Sequence, residues 1–166
     1  MPTDVLGAIA VVAVTVAGFT GVVAVFGGGP LHEWPRVDRF RLKLLLSFSL
    51  LPLALSLIGL TLLAAELPQA FVWRWCSVAA AFLLLAAGFW SLAQFARFPA
   101  TELKSAGASR IVFYGGSVIG FGTCILQIYN LAVLEQFWPF LTAIVVSVLA
   151  ASLQFAILVL NRPSRS

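Results

Sequence analysis

The sequence predicts an all-α, polytopic membrane protein: a bundle of five transmembrane helices with short loops. Of its 166 residues, 61% belong to the hydrophobic class and only 10% are Asp, Glu, Lys or Arg. Soluble domains typically carry about 25% of these four charged residues. So few charges cannot cover a water-soluble globule with this much apolar surface. We therefore expect a single domain, residues 1–166, that spans a lipid bilayer.

Five apolar stretches are long enough to cross a hydrocarbon core, which takes about 20 residues. The first follows Met-Pro-Thr-Asp, which lacks the basic segment of a signal peptide, so we expect a permanent span. The expected spans are residues 5–26, 44–65, 72–96, 111–134 and 140–160.

Glycine, proline and polar residues separate these spans. Residues 27–30, Gly-Gly-Gly-Pro, end the first helix. The second span is rich in leucine and contains Pro52, which removes one backbone hydrogen bond and is expected to kink the helix. A tight turn at residues 67–69 leads to the third span, and a connector of residues 97–110 leads to the fourth. Residues 135–139 join the last two spans.

The basic residues predict the orientation. With the N-terminus outside and the C-terminus in the cytoplasm, nine of the ten Lys and Arg lie inside and only Arg74 lies outside, as the positive-inside rule requires. Four of the nine form a basic cluster before the second span, expected to bind lipid phosphates at the inner interface, or alternatively to dock a partner. This cluster is Arg36, Arg39, Arg41 and Lys43.

At the outer interface, we expect Trp73, Trp75 and Trp138 to act as interfacial anchors. Glu66 and Arg74 flank the turn between the second and third spans, so we expect these exposed side chains to approach within salt-bridge or water-bridged range.

A stripe of small and polar residues follows one face of the fourth span at spacings of four and three. A GxxxG pair lets helix backbones approach closely, and the polar groups beyond it must find partners away from water. We interpret the stripe as a helix-packing face; the alternative is a polar lining of a pore or cleft. This polar stripe is Gly116, Gly120, Thr123, Gln127 and Asn130.

Two amides lie at hydrocarbon depth and should face protein or water. Depth arithmetic at about 1.5 Å per residue places Gln127 near Thr61 or a backbone carbonyl of the outer leaflet. The same arithmetic places the second buried amide, Gln154, near Ser49, Thr20 or Ser91.

Several chemistries are not expected. The spans carry no ionisable residue at hydrocarbon depth, where proton pumps and ion-coupled carriers place them. The single histidine, His32, lies in a loop, which disfavours haem ligation and a serine–histidine relay. Cys76 and Cys124 form no CxxC motif and are interpreted as packing residues. We expect no enzyme activity, cofactor or metal, and, without a run of basic residues, no nucleic-acid partner.

The first 65 residues carry a resemblance. Residues 17–23 read Ala-Gly-Phe-Thr-Gly-Val-Val; Trp34 follows, and then Asp-Arg-Phe-Arg-Leu at residues 38–42 enters a leucine-rich span. This segment resembles small uncharacterised bacterial multi-span membrane proteins. The resemblance implies a bacterial cytoplasmic membrane and brings no activity or site residues.

The sequence favours a non-enzymatic membrane protein that acts through helix packing, as a scaffold or accessory subunit. The alternative is a homo-oligomeric pore or carrier for a small neutral or weakly charged solute, lined by Thr123, Gln127 and Asn130. The expected partners are the lipid bilayer and either a second copy of the chain or another membrane protein.

Overall fold

A computed structural model describes residues 1–26, 35–99 and 110–160, which form five long helices and no strand. A π-helical turn at Asn130–Leu134 continues the fourth helix towards the fifth. All five helices are long and apolar enough to cross a membrane, which confirms the predicted fold class. They are α1 (Pro2–Phe26), α2 (Arg36–Ala64), α3 (Gln69–Phe95), α4 (Arg110–Tyr129) and α5 (Phe137–Leu160).

Two prolines mark helix starts. Pro35 and Pro68 have extended backbones and immediately precede α2 and α3. The carbonyl of Pro35 accepts hydrogen bonds from the backbone N–H groups of Asp38 and Arg39, so the basic cluster already forms helical turns. Hydropathy placed this span at residue 44 because it detects the apolar core and not the polar first turns. α2 continues through Pro52 without a break in the helix.

α2 lies at the centre of the bundle and packs against α1, α3 and α5, while α4 packs against α3 and α5. α1 lies at the periphery and contacts mainly α2. Its fully buried residues, Leu6, Ala13 and Thr20, recur every seven positions and form a narrow seam. Most of the remaining side chains of residues 1–22 are exposed.

One glycine allows three helices to meet. A Cβ at Gly59 of α2 would lie 2.9 Å from Cδ1 of Leu6 and 3.3 Å from Cε1 of Phe140. Leu6 belongs to α1 and Phe140 to α5, and both side chains are fully buried. The contact places the start of α1 beside the end of α2 and the start of α5.

The two ends of the bundle differ in charge. The end at which α2 begins and α3 stops carries Arg36, Arg39, Arg41, Lys43 and Arg97, and we call it the basic end. Rings from α2, from α3 and from the segment after α3 meet there: Phe40 lies 6.2 Å from Trp90 and 5.3 Å from Phe98, centroid to centroid. The opposite end carries the α2–α3 turn and the α4–α5 junction.

Candidate functional site: the polar stripe of α4 and its neighbouring cavity

The polar stripe of α4 divides into two halves with different surroundings. Thr123, Gln127 and Asn130, towards the opposite end, are buried among neighbouring helices. Gly116 and Gly120, towards the basic end, line a cavity, and a Cβ at either position would meet nothing within 4 Å. Within the described part of the chain, the two glycines therefore do not bring helix backbones into close contact.

Asn130 joins three segments of the chain. Its Nδ2 donates to Oγ of Ser77 on α3 over 2.6 Å and to the carbonyl of Gln136 over 3.0 Å. Its Oδ1 accepts from the backbone N–H of Gln136, also over 3.0 Å. Asn130 begins the π-helical turn, whose last carbonyls cannot all be satisfied within the helix. The amide therefore fixes the α4–α5 junction against α3.

Gln127 lies one turn earlier and is also completely buried. Its Nε2 donates to the carbonyl of Pro139 over 2.6 Å, which ties α4 to the first turn of α5. Its Oε1 is buried and has no hydrogen-bond partner among the described residues. The sequence predicted that the amide of Gln127 lies near Thr61 or a backbone carbonyl of the outer leaflet. Thr61 is exposed and donates to Leu57 of its own helix, so the partner is the carbonyl.

Ten hydroxyl groups in the described spans behave differently from these amides. Thr123 donates to the carbonyl of Ile119, four residues earlier in the same helix. The same local hydrogen bond, to a carbonyl three or four residues back, is made by Thr15, Thr20, Ser49, Thr61, Ser91, Ser117, Thr142, Ser147 and Ser152. These ten hydroxyls donate within their own helix and do not cross-link helices. Ser77, whose Oγ accepts from Asn130, and Ser56, whose buried Oγ has no partner among the described residues, are exceptions.

A cavity of about 400 Å³ lies among α2, α3, α4 and α5 in the half of the bundle nearer the basic end. Its walls are formed mainly by leucine, phenylalanine, glycine, alanine and valine residues. Gln154 of α5 lines it together with Ser91, one of the three neighbours expected for this amide. Gln154 is half-buried and makes no hydrogen bond within the described part of the chain.

The basic cluster does not form a uniform surface at the lipid interface. Arg41 is buried, and its Nη1 lies 3.3 Å from Oδ1 of Asp38. Arg36 is exposed, with its guanidinium carbon 5.8 Å from the centre of the Phe98 ring. Lys43 is exposed as well. The helical first turns of α2 direct the side chain of Arg41 into the bundle, and lipid binding by the cluster stays a prediction.

Arg39 differs again from its three neighbours in the cluster. Its side chain is half-buried, and its Nε atom is enclosed without a hydrogen-bond partner among the described residues.

At the opposite end, Arg74 and Trp73 have neighbours that the sequence did not predict. Nη1 of Arg74 lies 3.7 Å from Oε1 of Glu135, so its ion-pair partner comes from the α4–α5 junction and not from Glu66. Trp73 is 4% exposed and packs 4.9 Å from Phe137, centroid to centroid, so it is a core residue and not an interfacial anchor. Helix periodicity alone does not reveal which neighbour α3 faces.

The described residues offer no metal site. No group of three or more His, Cys, Asp or Glu side chains within residues 1–26, 35–99 and 110–160 could hold an ion. Cys76 and Cys124 are free and buried. Comparison of the chain with protein-family models, curated proteins and solved structures found no significant match.

Proposed function

We propose that this chain is a non-enzymatic membrane protein that acts through helix packing, as a scaffold or accessory subunit. The observation that carries the proposal is the burial of Thr123, Gln127 and Asn130 against protein. In a pore these groups would face the lumen and keep hydrogen bonds available for a solute. Here both amides bond to α3 or to the α4–α5 junction.

A scaffold needs a surface for its partner, and α1 supplies one. Only 17% of its most apolar 18-residue window is buried within the chain, compared with 44% for α2. The exposed residues include Val11, Val12 and Phe19, on a helix that contacts mainly α2. Such a face contacts either lipid or another transmembrane helix. We propose that α1 contacts a second copy of the chain or another membrane protein.

The proposed location is a bacterial cytoplasmic membrane, supported by the resemblance of the first 65 residues. The proposed orientation places the basic end in the cytoplasm, supported by the charge asymmetry between the ends. Single cysteines introduced in the 97–110 connector and in the C-terminal residues 161–166 should react with a membrane-impermeant maleimide only from the cytoplasmic side. Labelling of either site from outside would reverse the orientation.

The alternative function is a homo-oligomeric pore or carrier for a small neutral or weakly charged solute. Measurement of solute flux distinguishes it from the scaffold. Vesicles containing the purified chain should be no more permeable to glycerol or urea than protein-free vesicles in stopped-flow light scattering. Protein-dependent permeability that falls in Asn130→Leu, with helical content retained by circular dichroism, would contradict the scaffold proposal and support the pore.

The scaffold proposal also predicts a specific neighbour for α1. A photoreactive amino acid at Val12, on the exposed face of α1, should give a discrete cross-linked product in the native membrane. The matched control is Leu149 on α5, which is also exposed. Equal and diffuse cross-linking from both positions would show that α1 faces lipid only.

A further inference from the structure

We propose that the cavity among α2, α3, α4 and α5 binds one acyl chain of an anionic membrane phospholipid. The inference goes beyond the scaffold function and stands without it. It rests on the dimensions of the cavity, the chemistry of its walls and the charge of the adjacent end of the bundle.

The cavity is about as long as the hydrocarbon region of one membrane leaflet is thick. On α4 the lining runs from Phe113 to Cys124, eleven residues on, which is about 16 Å at about 1.5 Å per residue. Half of a hydrocarbon core about 30 Å thick is about 15 Å. The volume of about 400 Å³ lies within the range of about 300–1,000 Å³ typical of sites that enclose a small molecule.

The walls favour an apolar occupant. The three lining hydroxyls, on Ser91, Ser117 and Ser147, each donate to a carbonyl of their own helix, which leaves no hydroxyl donor directed at a ligand. Gln154 is the one lining amide, and the remaining walls are apolar apart from the free thiol of Cys124. Among the described residues, Gln154 is the one lining side chain whose amide could replace the hydrogen bonds that a strongly polar solute loses with its water, whereas hydrocarbon has no such bonds to lose.

The mouth of the cavity faces the place where lipid chains lie. Phe89 of α3, Phe121 of α4 and Leu153 of α5 belong to the lining and are also exposed, by 69%, 64% and 51%. On helices that span a membrane, such surfaces contact hydrocarbon. A neighbouring lipid chain can therefore enter between the helices without passing through water.

The positive charge at the basic end favours a phospholipid with an anionic headgroup. The cavity lies in the half of the bundle that begins at the basic end, where Arg36, Lys43 and Arg97 are exposed. Lys43 directly precedes Leu44, a lining residue. A phospholipid phosphate at the membrane surface there would be attracted by these cations while its chain occupies the cavity.

The test uses the purified, delipidated chain in detergent, titrated with phosphatidylglycerol and followed by native mass spectrometry. The wild type should form a first lipid adduct well before any others. Gly120→Leu places a side chain into the cavity and should raise the dissociation constant of that first adduct at least tenfold. Gly122→Leu is the matched control, because its position is equally open but lies outside the lining, and it should change the constant less than twofold.

Further arms identify the chemistry recognised. Glycerol phosphate, which has the charge without the chain, should not bind, and phosphatidylcholine with the same chains should bind more weakly. If Gly120→Leu loses helical content, Gly88→Leu fills the same cavity from α3. The proposal is overturned by unchanged binding in a folded cavity-filling variant, by adduct formation with glycerol phosphate, by equal binding of both lipids, or by a wild type that forms only many equivalent weak adducts.

Discussion

Replacing Asn130 by alanine removes the side chain that connects the π-helical turn to α3 and to the α4–α5 junction. The wild-type amide makes three hydrogen bonds, one with Ser77 and two with the backbone of Gln136. Alanine leaves these partners without Asn130. We therefore expect the free energy of unfolding to fall.

The expected loss in the free energy of unfolding follows from the number of hydrogen bonds that are removed. Hydrogen bonds between transmembrane helices stabilise by about 0.6 kcal/mol on average and by about 1.7 kcal/mol at most. The Asn130–Ser77 bond is of this kind, and if the same range is taken for each of the two bonds with Gln136, the loss for Asn130→Ala is about 2–5 kcal/mol. Ser77→Ala removes only one of the three, so its loss should be about 0.6–1.7 kcal/mol.

The assay is reversible unfolding in mixed micelles by increasing sodium dodecyl sulfate, followed by circular dichroism. The wild type, both single variants and the double variant form a thermodynamic cycle that isolates the Asn130–Ser77 coupling from the space left by the smaller side chain. We expect a coupling of about 0.6–1.7 kcal/mol. Thr142→Val is a control, because its hydroxyl bonds only within α5.

Two results would refute this reasoning. A coupling indistinguishable from zero would mean that the Asn130–Ser77 bond has no energetic consequence in the folded chain. A loss for Asn130→Ala below about 0.5 kcal/mol, the usual range for surface substitutions, would mean that the junction does not depend on this amide.

Two further predictions use the same unfolding assay. Gln127→Leu should change the free energy of unfolding by less than about 1 kcal/mol, because it loses one hydrogen bond but also removes the buried, unpartnered Oε1; a loss above about 2 kcal/mol would contradict this account. Gly59→Leu should destabilise by about 1–3 kcal/mol, because its side chain would overlap Leu6 and Phe140. Gly18→Leu on α1, where nothing lies within 4 Å, should not destabilise, and an equal loss in both glycine variants would show that the contact at Gly59 is not the cause.

The number, order and approximate bounds of the helices could be predicted from the sequence. Residues 72–96 were predicted as the third span, and α3 covers Gln69–Phe95. The prediction succeeded because the length of an apolar segment is a direct requirement of membrane thickness. The π-helical turn at Asn130–Leu134 was not predicted. Asn130 bonds there to Gln136, which lies beyond the predicted span, and to Ser77, which lies on α3.

The contacts between helices could not be predicted in the same way. In a membrane protein, lipid-facing and core-facing residues are both apolar, so the hydrophobic pattern does not reveal how each helix is rotated. Trp73 was therefore assigned to the interface, although it packs on Phe137 in the core. The partner of Arg74 was sought nearby in sequence, whereas Glu135 comes from a distant junction.

The division between hydroxyls and amides has a consequence for biogenesis. A span whose threonine and serine side chains bond to their own helix can leave the translocon and enter lipid with those groups already satisfied. Asn130 and Gln127 have no such local solution, because their partners belong to α3 and to the chain segment that follows α4. All hydrogen bonds of these two amides can therefore form only after the chain has been synthesised as far as Pro139. A nascent chain halted before Pro139 would lack the carbonyl that accepts from Gln127, and this buried amide would have no partner.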